Sequence, residues 1–238
     1  MIKLFAHRGF VVENAQQNSI ESLKEAVKEN FKAIEFDIWF LNGNLVLKKD
    51  IEFDVCFLNG KLVLKHDQPK IDELDNLPVL QNYFCFGNSL EYWMDFKNLD
   101  ENNAFEALTL TKDEIIAAKI DLNQIYFAPF ITDYKKAAKV FAEIRRVFGD
   151  ESNLVAVCKN IEKDEDVKNL QEFLAKNNIK FLSIFHKLLD ENFVKNFNGI
   201  EFFAWTVNDL SRLLELEQLG IKNFATDKIT PKIYEKNL

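Results

Sequence analysis

Ile34–Asp50 reads IEFDIWFLNGNLVLKKD, and the segment after it, Ile51–Asp67, reads IEFDVCFLNGKLVLKHD. The two 17-residue segments agree at 13 positions. Each carries a Glu-x-Asp pair on an apolar run, an Asn-Gly pair suited to a tight reversal, and an apolar return. The first copy ends in Lys49-Asp50 and the second in His66-Asp67. Whether this duplication supplies one core strand or two decides the strand count, and with it the fold.

Outward from the repeat, strand-like runs lie at Ile2–Ala6, Ile34–Leu41 or Ile51–Leu58, Glu91–Phe96, Gln124–Phe130, Leu154–Cys158, Lys180–Phe185, Glu201–Val207 and Lys222–Ala225. Helical windows lie at Ser19–Glu29, Thr111–Ala118, Thr132–Phe148, Glu165–Lys176, Leu188–Phe197 and Asn208–Leu219. Counting the repeat once gives eight strands alternating with helices, the pattern of a parallel sheet. Eight units favour a closed (β/α)8 TIM-type barrel, with an extra β-hairpin from the duplicated segment, over an open doubly wound sheet. No Gly-x-Gly-x-x-Gly follows the first strand, which argues against a dinucleotide-binding sheet. Asn18 is taken as the first N-cap, because Glu21 then falls at the third helical position of a capping box. Asp133 and Asn208 fall where further N-caps are expected, and Gly220 signals a helix end. Gln68–Leu90, with two prolines, reads as a loop over part of the top face. No linker or composition shift divides the chain, so residues 1–238 read as a single barrel domain.

Composition narrows the partners. The chain has 238 residues, 47% hydrophobic content and a net charge of −8, so a non-specific grip on nucleic acid through basic patches is not expected. Its 23 phenylalanines read as core material, since no basic groove accompanies them. Cys56, Cys85 and Cys158 have no metal-ligand spacing and read as reduced, buried thiols. No signal-peptide pattern and no apolar run of about 20 residues appears, so a cytoplasmic protein without a transmembrane segment is expected.

In a barrel, reactive side chains project from the C-terminal ends of strands. His7 and Arg8 end the first strand. Glu-x-Asp sits in the second, both acids on one face because strand periodicity is two. Asp95 and Lys97 end the third. Three carboxylates from neighbouring strands make an oxygen-rich site suited to Mg²⁺ or Ca²⁺. Arg8 can grip a phosphate with two parallel hydrogen bonds and Lys97 can add a point charge. His7 and His66 can serve as general acid and base. Which copy supplies the acids stays open. A three-residue loop at Asn59-Gly60-Lys61 would set Asp54 opposite His66, whereas a two-residue turn would set Phe53 there and turn the histidine away. The first register in copy one would set Lys49 opposite Asp37, where an ammonium competes with a metal. That favours Glu52 and Asp54, with Asp95, as ligands. Chain distance from His7 instead favours Glu35 and Asp37, one strand–helix–strand step away.

His7-Arg8-Gly9, the Glu-x-Asp pair, His66-Asp67 and Asp95-Phe96-Lys97 together resemble the glycerophosphodiester phosphodiesterase family. Ala204-Trp205-Thr206-Val207-Asn208 and Phe224-Ala225-Thr226-Asp227 resemble that family's last two strands. The resemblance spans essentially the whole chain. It implies metal-dependent hydrolysis of a small-molecule glycerophosphodiester to glycerol 3-phosphate and an alcohol, within lipid and glycerol metabolism. It implies His7 and His66 as the acid/base pair, Arg8 and Lys97 as phosphate contacts, and Trp205 in the substrate pocket. Three departures stand out. Gln16-Gln17-Asn18-Ser19 replaces Pro-Glu-Asn-Thr, Asp95 replaces a glutamate, and the repeat itself intrudes. They leave two other readings: a phospholipase D-like hydrolase of lysophospholipids or sphingolipids, and a non-catalytic barrel.

Overall fold

A computed structural model describes residues 2–237 apart from 13–14, 47–54, 71–72, 74–75, 159–160 and 162, with backbone alone at 42–46 and 55–59. The strands are β1 (Lys3–His7), β2 (Ala33–Val46), β3 (Val55–Leu64), β4 (Glu91–Phe96), β5 (Ile125–Pro129), β6 (Asn153–Cys158), β7 (Phe181–Phe185), β8 (Glu201–Trp205) and β9 (Asn223–Thr226). Hydrogen bonding runs β1-β9-β8-β7-β6-β5-β4-β2-β3, and a further parallel pairing of β1 with β2 closes the ring. Eight parallel strands therefore form a closed barrel, the expected (β/α)8 architecture, with β3 attached antiparallel along β2. The described α-helices are α1 (Ile20–Lys28), α2 (Leu80–Tyr83), α3 (Ala104–Ala118), α4 (Tyr134–Phe148), α5 (Asp164–Lys176), α6 (Glu191–Lys195), α7 (Leu210–Gln218) and α8 (Pro231–Glu235). No described helix is long and apolar enough to cross a membrane.

Alternation along the strands sorts the apolar side chains into two cores. One lies between barrel and helices. The other fills the barrel with Phe5, Trp93, Tyr126, Val155, Val157 and Phe203 among others. Trp93 meets Phe5 and Phe203 edge-on, with ring centroids 5.5 and 5.0 Å apart. This aromatic plug fills the barrel interior beneath the C-terminal mouth. Outside, α4 shows how the helices are specified. Asp133 caps it by accepting from the backbone N–H groups of Lys135 and Lys136, and Ala137, Val140, Phe141 and Ile144 bury one stripe. Truncating Ile144 to Ala would cost about 2–5 kcal/mol through the cavity left behind.

The repeat folds differently from the expectation of an Asn-Gly turn in each copy. Ile38, Trp39, Phe40 and Leu41 of copy one pair with Leu64, Val63, Leu62 and Lys61 of copy two. Gly43, Asn44, Leu45 and Val46 then pair with Leu58, Phe57, Cys56 and Val55. Both copies run straight through their Asn-Gly pairs and together make one long hairpin. The register shifts between Leu41 and Gly43, so Asn42 faces Asn59 and Gly60 in a bulge. Ile38 pairs with Leu64 of copy two, and Lys49, expected opposite Asp37, lies outside the described residues.

Other expectations are corrected by what the side chains do. The N-cap of α1 is Ser19, not Asn18, and its capping box closes through the Ser22 hydroxyl rather than Glu21. Asn18 has a positive φ of 57° and its amide is spent on Asp37. Likewise Asp209 caps α7, because Asn208 is occupied by Asp227. Helix α3 begins at Ala104, before the expected Thr111, as Ala104, Ala107 and Leu108 extend its buried face. The Gln68–Leu90 loop contains α2 and a 3-10 stretch, Phe84–Ser89, docked on the barrel's outer face by Tyr83 against Phe36 and Phe84 against Tyr92. Phe84 takes the buried side of that stretch, which leaves Cys85 exposed rather than buried. Cys158 is buried as expected.

Candidate active site

Strand register brings the acids together. His7 is aligned with Glu35 across β1 and β2, and Asp37 with Asp95 across β2 and β4. Glu35, Asp37 and Asp95 are buried, each offering a carboxylate oxygen within 4.8 Å of the others. Glu52 and Asp54, the pair favoured from sequence, lie outside the described residues, as does Lys49.

The His-Arg-Gly turn directs this corner. Arg8 has a φ of 59°, and its backbone N–H donates to the Glu35 carbonyl at 2.8 Å and the Glu35 carboxylate at 3.0 Å. Gly9 follows with a φ of 82°, and a Cβ there would lie 2.3 Å from Ser22 Oγ. Only glycine lets β1 leave the barrel this close to α1.

Asp37 is the hub. Arg8 Nε lies 3.0 Å from its Oδ2, Lys97 Nζ 2.5 Å from its Oδ1, and His66 Nδ1 3.3 Å from Oδ2. Asn18 donates to Oδ2 at 2.9 Å and accepts from the Asp37 backbone N–H at 3.1 Å. Burial opposes ionisation of Asp37, but the His66 contact and the Lys97 and Arg8 charges override it and hold the carboxyl far below the usual range. Glu35 goes the other way. Burial, followed by the Asp37 and Asp95 charges, raises its pKa well above the ordinary value, with Lys97 and Arg8 only partly offsetting. Lys97 also bonds Asp95 at 2.7 Å, and these acids outweigh burial and hold it firmly protonated. Arg8 Nη1 donates to Gln17 Oε1 at 2.9 Å, so the altered Gln16-Gln17-Asn18-Ser19 segment still supports both Arg8 and Asp37.

The histidines differ in setting. His7 Nδ1 lies 2.7 Å from Asp227 Oδ1, while Nε2 lies 3.9 Å from Glu35 Oε2. Asn208 donates to the other Asp227 oxygen at 2.7 Å. Burial works against ionising Asp227, and its bonds to His7 and Asn208 win, so its pKa is lowered. An ionised carboxylate only accepts, so Nδ1 is the nitrogen that donates to Asp227. His66 sits past the end of β3, with its side chain 48% exposed at the mouth. Continued beyond Ile38 and Leu64, the observed register would set Phe36 rather than Asp37 opposite His66. His66 reaches Asp37 because the strand has already ended at Leu64, so strand parity no longer governs it.

Sequence reasoning passed over Asp227, Asn208 and Asn18 as site residues. Asp227 directly follows β9, and the strand-end rule that selected Asp95 and Lys97 would have found it. Three donors were also missed or placed only by resemblance. Trp93 Nε1, Ser183 Oγ and Trp205 Nε1 are buried atoms without a hydrogen-bond partner among the described residues. Leaving such a donor unsatisfied costs about 1–3 kcal/mol. All three residues border a cavity of about 90 Å³, together with His7, Arg8, Glu35, His66, Asp95 and Lys97. A wider groove of about 740 Å³, lined by Trp39, Phe130 and Tyr134 among others, meets the cavity at His66, Lys97 and Phe130.

Comparison with known proteins places this geometry. The model of the glycerophosphoryl diester phosphodiesterase family matches residues 7–230. A search of curated proteins finds no match. A glycerophosphodiester phosphodiesterase from Parabacteroides distasonis is similar in structure, with a TM-score of 0.71 at 20% identity over 98% of this chain and 95% of that one. A phosphodiesterase from Oleispira antarctica, solved with the product sn-glycerol-3-phosphate, gives 0.73 at 18% identity over 98% and 95%. A glycerophosphodiester phosphodiesterase from Agrobacterium tumefaciens gives 0.66 at 12% identity over 99% and 100%. At these identities the structural likeness concerns the fold.

Proposed function

Given that the chain belongs to the glycerophosphoryl diester phosphodiesterase family, and so is a phosphoric diester hydrolase, we propose that it cleaves glycerophosphodiesters to glycerol 3-phosphate and an alcohol by two-histidine acid/base catalysis dependent on a divalent cation. The observation that carries this reading is the meeting, at one barrel mouth, of Glu35, Asp37 and Asp95 with His7, His66, Arg8 and Lys97. The product named for the Oleispira antarctica neighbour supports the substrate class.

The three acids fit a hard cation. All offer oxygen, all are buried, and Glu35 lacks enough positive charge around it to ionise at its ordinary pKa. Glu35 and Asp37 of copy one, with Asp95, are the residues that would hold Mg²⁺ or Ca²⁺. When bound, such an ion supplies electrostatic stabilisation of charge developing on the phosphoryl oxygens. The chain's own groups do the rest. Arg8 and Lys97 neutralise the phosphate and orient it. His7 Nε2, its partner nitrogen anchored on Asp227, takes the proton of the nucleophile, either water, which gives glycerol 3-phosphate directly, or the substrate's neighbouring hydroxyl, which gives a cyclic phosphate that water then opens to glycerol 3-phosphate. The new P–O bond forms as the bond to the alcohol breaks. His66, beside the wide groove, gives its proton to the departing alkoxide.

Release of glycerol 3-phosphate from glycerophosphocholine and glycerophosphoethanolamine, with Mg²⁺, Ca²⁺ or EDTA, tests the proposal. Metal-dependent release is expected. Choline release from a lysolipid without turnover of glycerophosphocholine would replace it with the phospholipase D-like reading.

A further inference from the structure

We infer that Trp39 is a positioning residue for His66, its indole N–H clamping the peptide that carries the histidine to Asp37. The inference rests on the reading of His66 as the acid of the pair and names what holds it in place. His66 follows the end of β3, and its side chain is half in solvent, so its placement over Asp37 depends on the backbone beneath it. Continued past Ile38 and Leu64, the β2–β3 ladder would set Lys65 opposite Asp37. The ladder stops short of that pair, and side chains take over its hydrogen bonds. The Asp37 backbone N–H donates to Asn18 Oδ1 at 3.1 Å, and the Lys65 carbonyl accepts from Trp39 Nε1 at 2.9 Å. That carbonyl belongs to the same planar peptide as the His66 nitrogen, so the indole fixes the plane from which the imidazole projects.

The sequence of the repeat makes the clamp specific to the observed arrangement. The copies differ at four positions, Ile38 against Val55, Trp39 against Cys56, Asn44 against Lys61 and Lys49 against His66. Trp39, particular to copy one, meets the peptide of His66, particular to copy two. Cys56, the counterpart of Trp39, has a shorter side chain with only a weak S–H donor. The clamp therefore needs copy one as the barrel strand and copy two as its return. Trp39 lies two residues beyond Asp37 on β2, hence on the same face, and borders the wide groove with His66 and Lys97. It is not among the residues that border the small cavity with the acids, so it acts on the chemistry through His66.

Dependence on the leaving group separates positioning from mere support. Choline needs a proton to depart, whereas p-nitrophenolate does not. With Mg²⁺ present, Trp39→Phe, which keeps a ring and removes the donor, should lower kcat about 5–10-fold for glycerophosphocholine and less than about twofold for the p-nitrophenyl ester of glycerol 3-phosphate. Added to His66→Ala, Trp39→Phe should cost nothing further, because the group it positions is already gone. Mg²⁺ affinity of Trp39→Phe by calorimetry should match the wild type. Equal losses on both esters, a further loss in the double variant or weakened Mg²⁺ binding overturns the inference and makes Trp39 a support of the fold. A raised KM with kcat unchanged also overturns it and makes Trp39 a substrate contact. If His66→Ala itself slows both esters alike, the acid role of His66 fails, and the positioning role falls with it.

Discussion

The two copies of the repeat are nearly the same sequence, yet the barrel uses opposite halves of them. Copy one enters as a barrel strand between β1 and β4, so its Glu35 and Asp37 join Asp95. Copy two returns along it, and its His66 reaches Asp37. The remaining halves pair with each other farther along the hairpin, from Gly43 with Leu58 to Val46 with Val55. Because the copies share their apolar pattern, a return strand pairs equally well with either outgoing strand at the local level. Position in the sheet breaks the tie. Only one outgoing run can lie beside β1, and the one nearer His7 in the chain takes that place. Position at the site thus follows register rather than residue identity. Along β2, Ile38 and Val46 stand roughly 27 Å apart at about 3.4 Å per residue, so the duplicated length is absorbed away from the acids.

The largest effects should come from the histidines. His7→Ala and His66→Ala are each expected to lower kcat about 10²–10⁴-fold for glycerophosphocholine with metal present. Full turnover in either variant would remove it from the acid/base pair. Asp227→Asn should lower kcat about 10–100-fold with KM little changed, because it frees the His7 tautomer. Equal changes in both constants, with an unaltered pH–rate profile, would reduce Asp227 to a structural role.

The comparison of copies can be sharpened by excision. Deleting residues 42–58 leaves Leu41 joined to Asn59-Gly60-Lys61 and restores a single 17-residue unit with its acids and histidine. Activity is expected to stay within about threefold of wild type, since lengthening a surface hairpin changes its closure entropy little. Loss of activity from a folded excision variant would show that the long hairpin does more than absorb the insertion.

The smallest effect is on stability. The Asp227 pKa is lowered in the fold, so its contribution is present above the unfolded value, about pH 4, and is lost as pH falls through the folded value. The Tm gap between wild type and Asp227→Asn should therefore narrow below about pH 4. A gap that stays constant to about pH 2 contradicts this.

Much of the fold was legible because barrel strands are short apolar runs bounded by amphipathic helices. His7, Arg8, Asp95 and Lys97 were legible because strand ends carry the chemistry. The choice of copy was not, since the local patterns of 34–50 and 51–67 are the same and the deciding contacts are with β1 and β4. Asn18 was misread because an asparagine before a helix serves equally as a cap or as a ligand to a distant carboxylate, and only Asp37 arriving from β2 separates the two. Ser183 and Trp93 were invisible for a related reason. Apolar strands conceal an unsatisfied donor until the opposite wall of the barrel is in place.

The central claim is that copy one supplies the metal-holding acids and copy two the histidine. Calorimetric titration of Mg²⁺ or Ca²⁺ into wild type, Glu35→Gln and Glu52→Gln tests it most directly. Binding should be lost or weakened at least about tenfold in Glu35→Gln and kept in Glu52→Gln. Retained binding in Glu35→Gln with loss in Glu52→Gln would contradict the account and give the site to copy two.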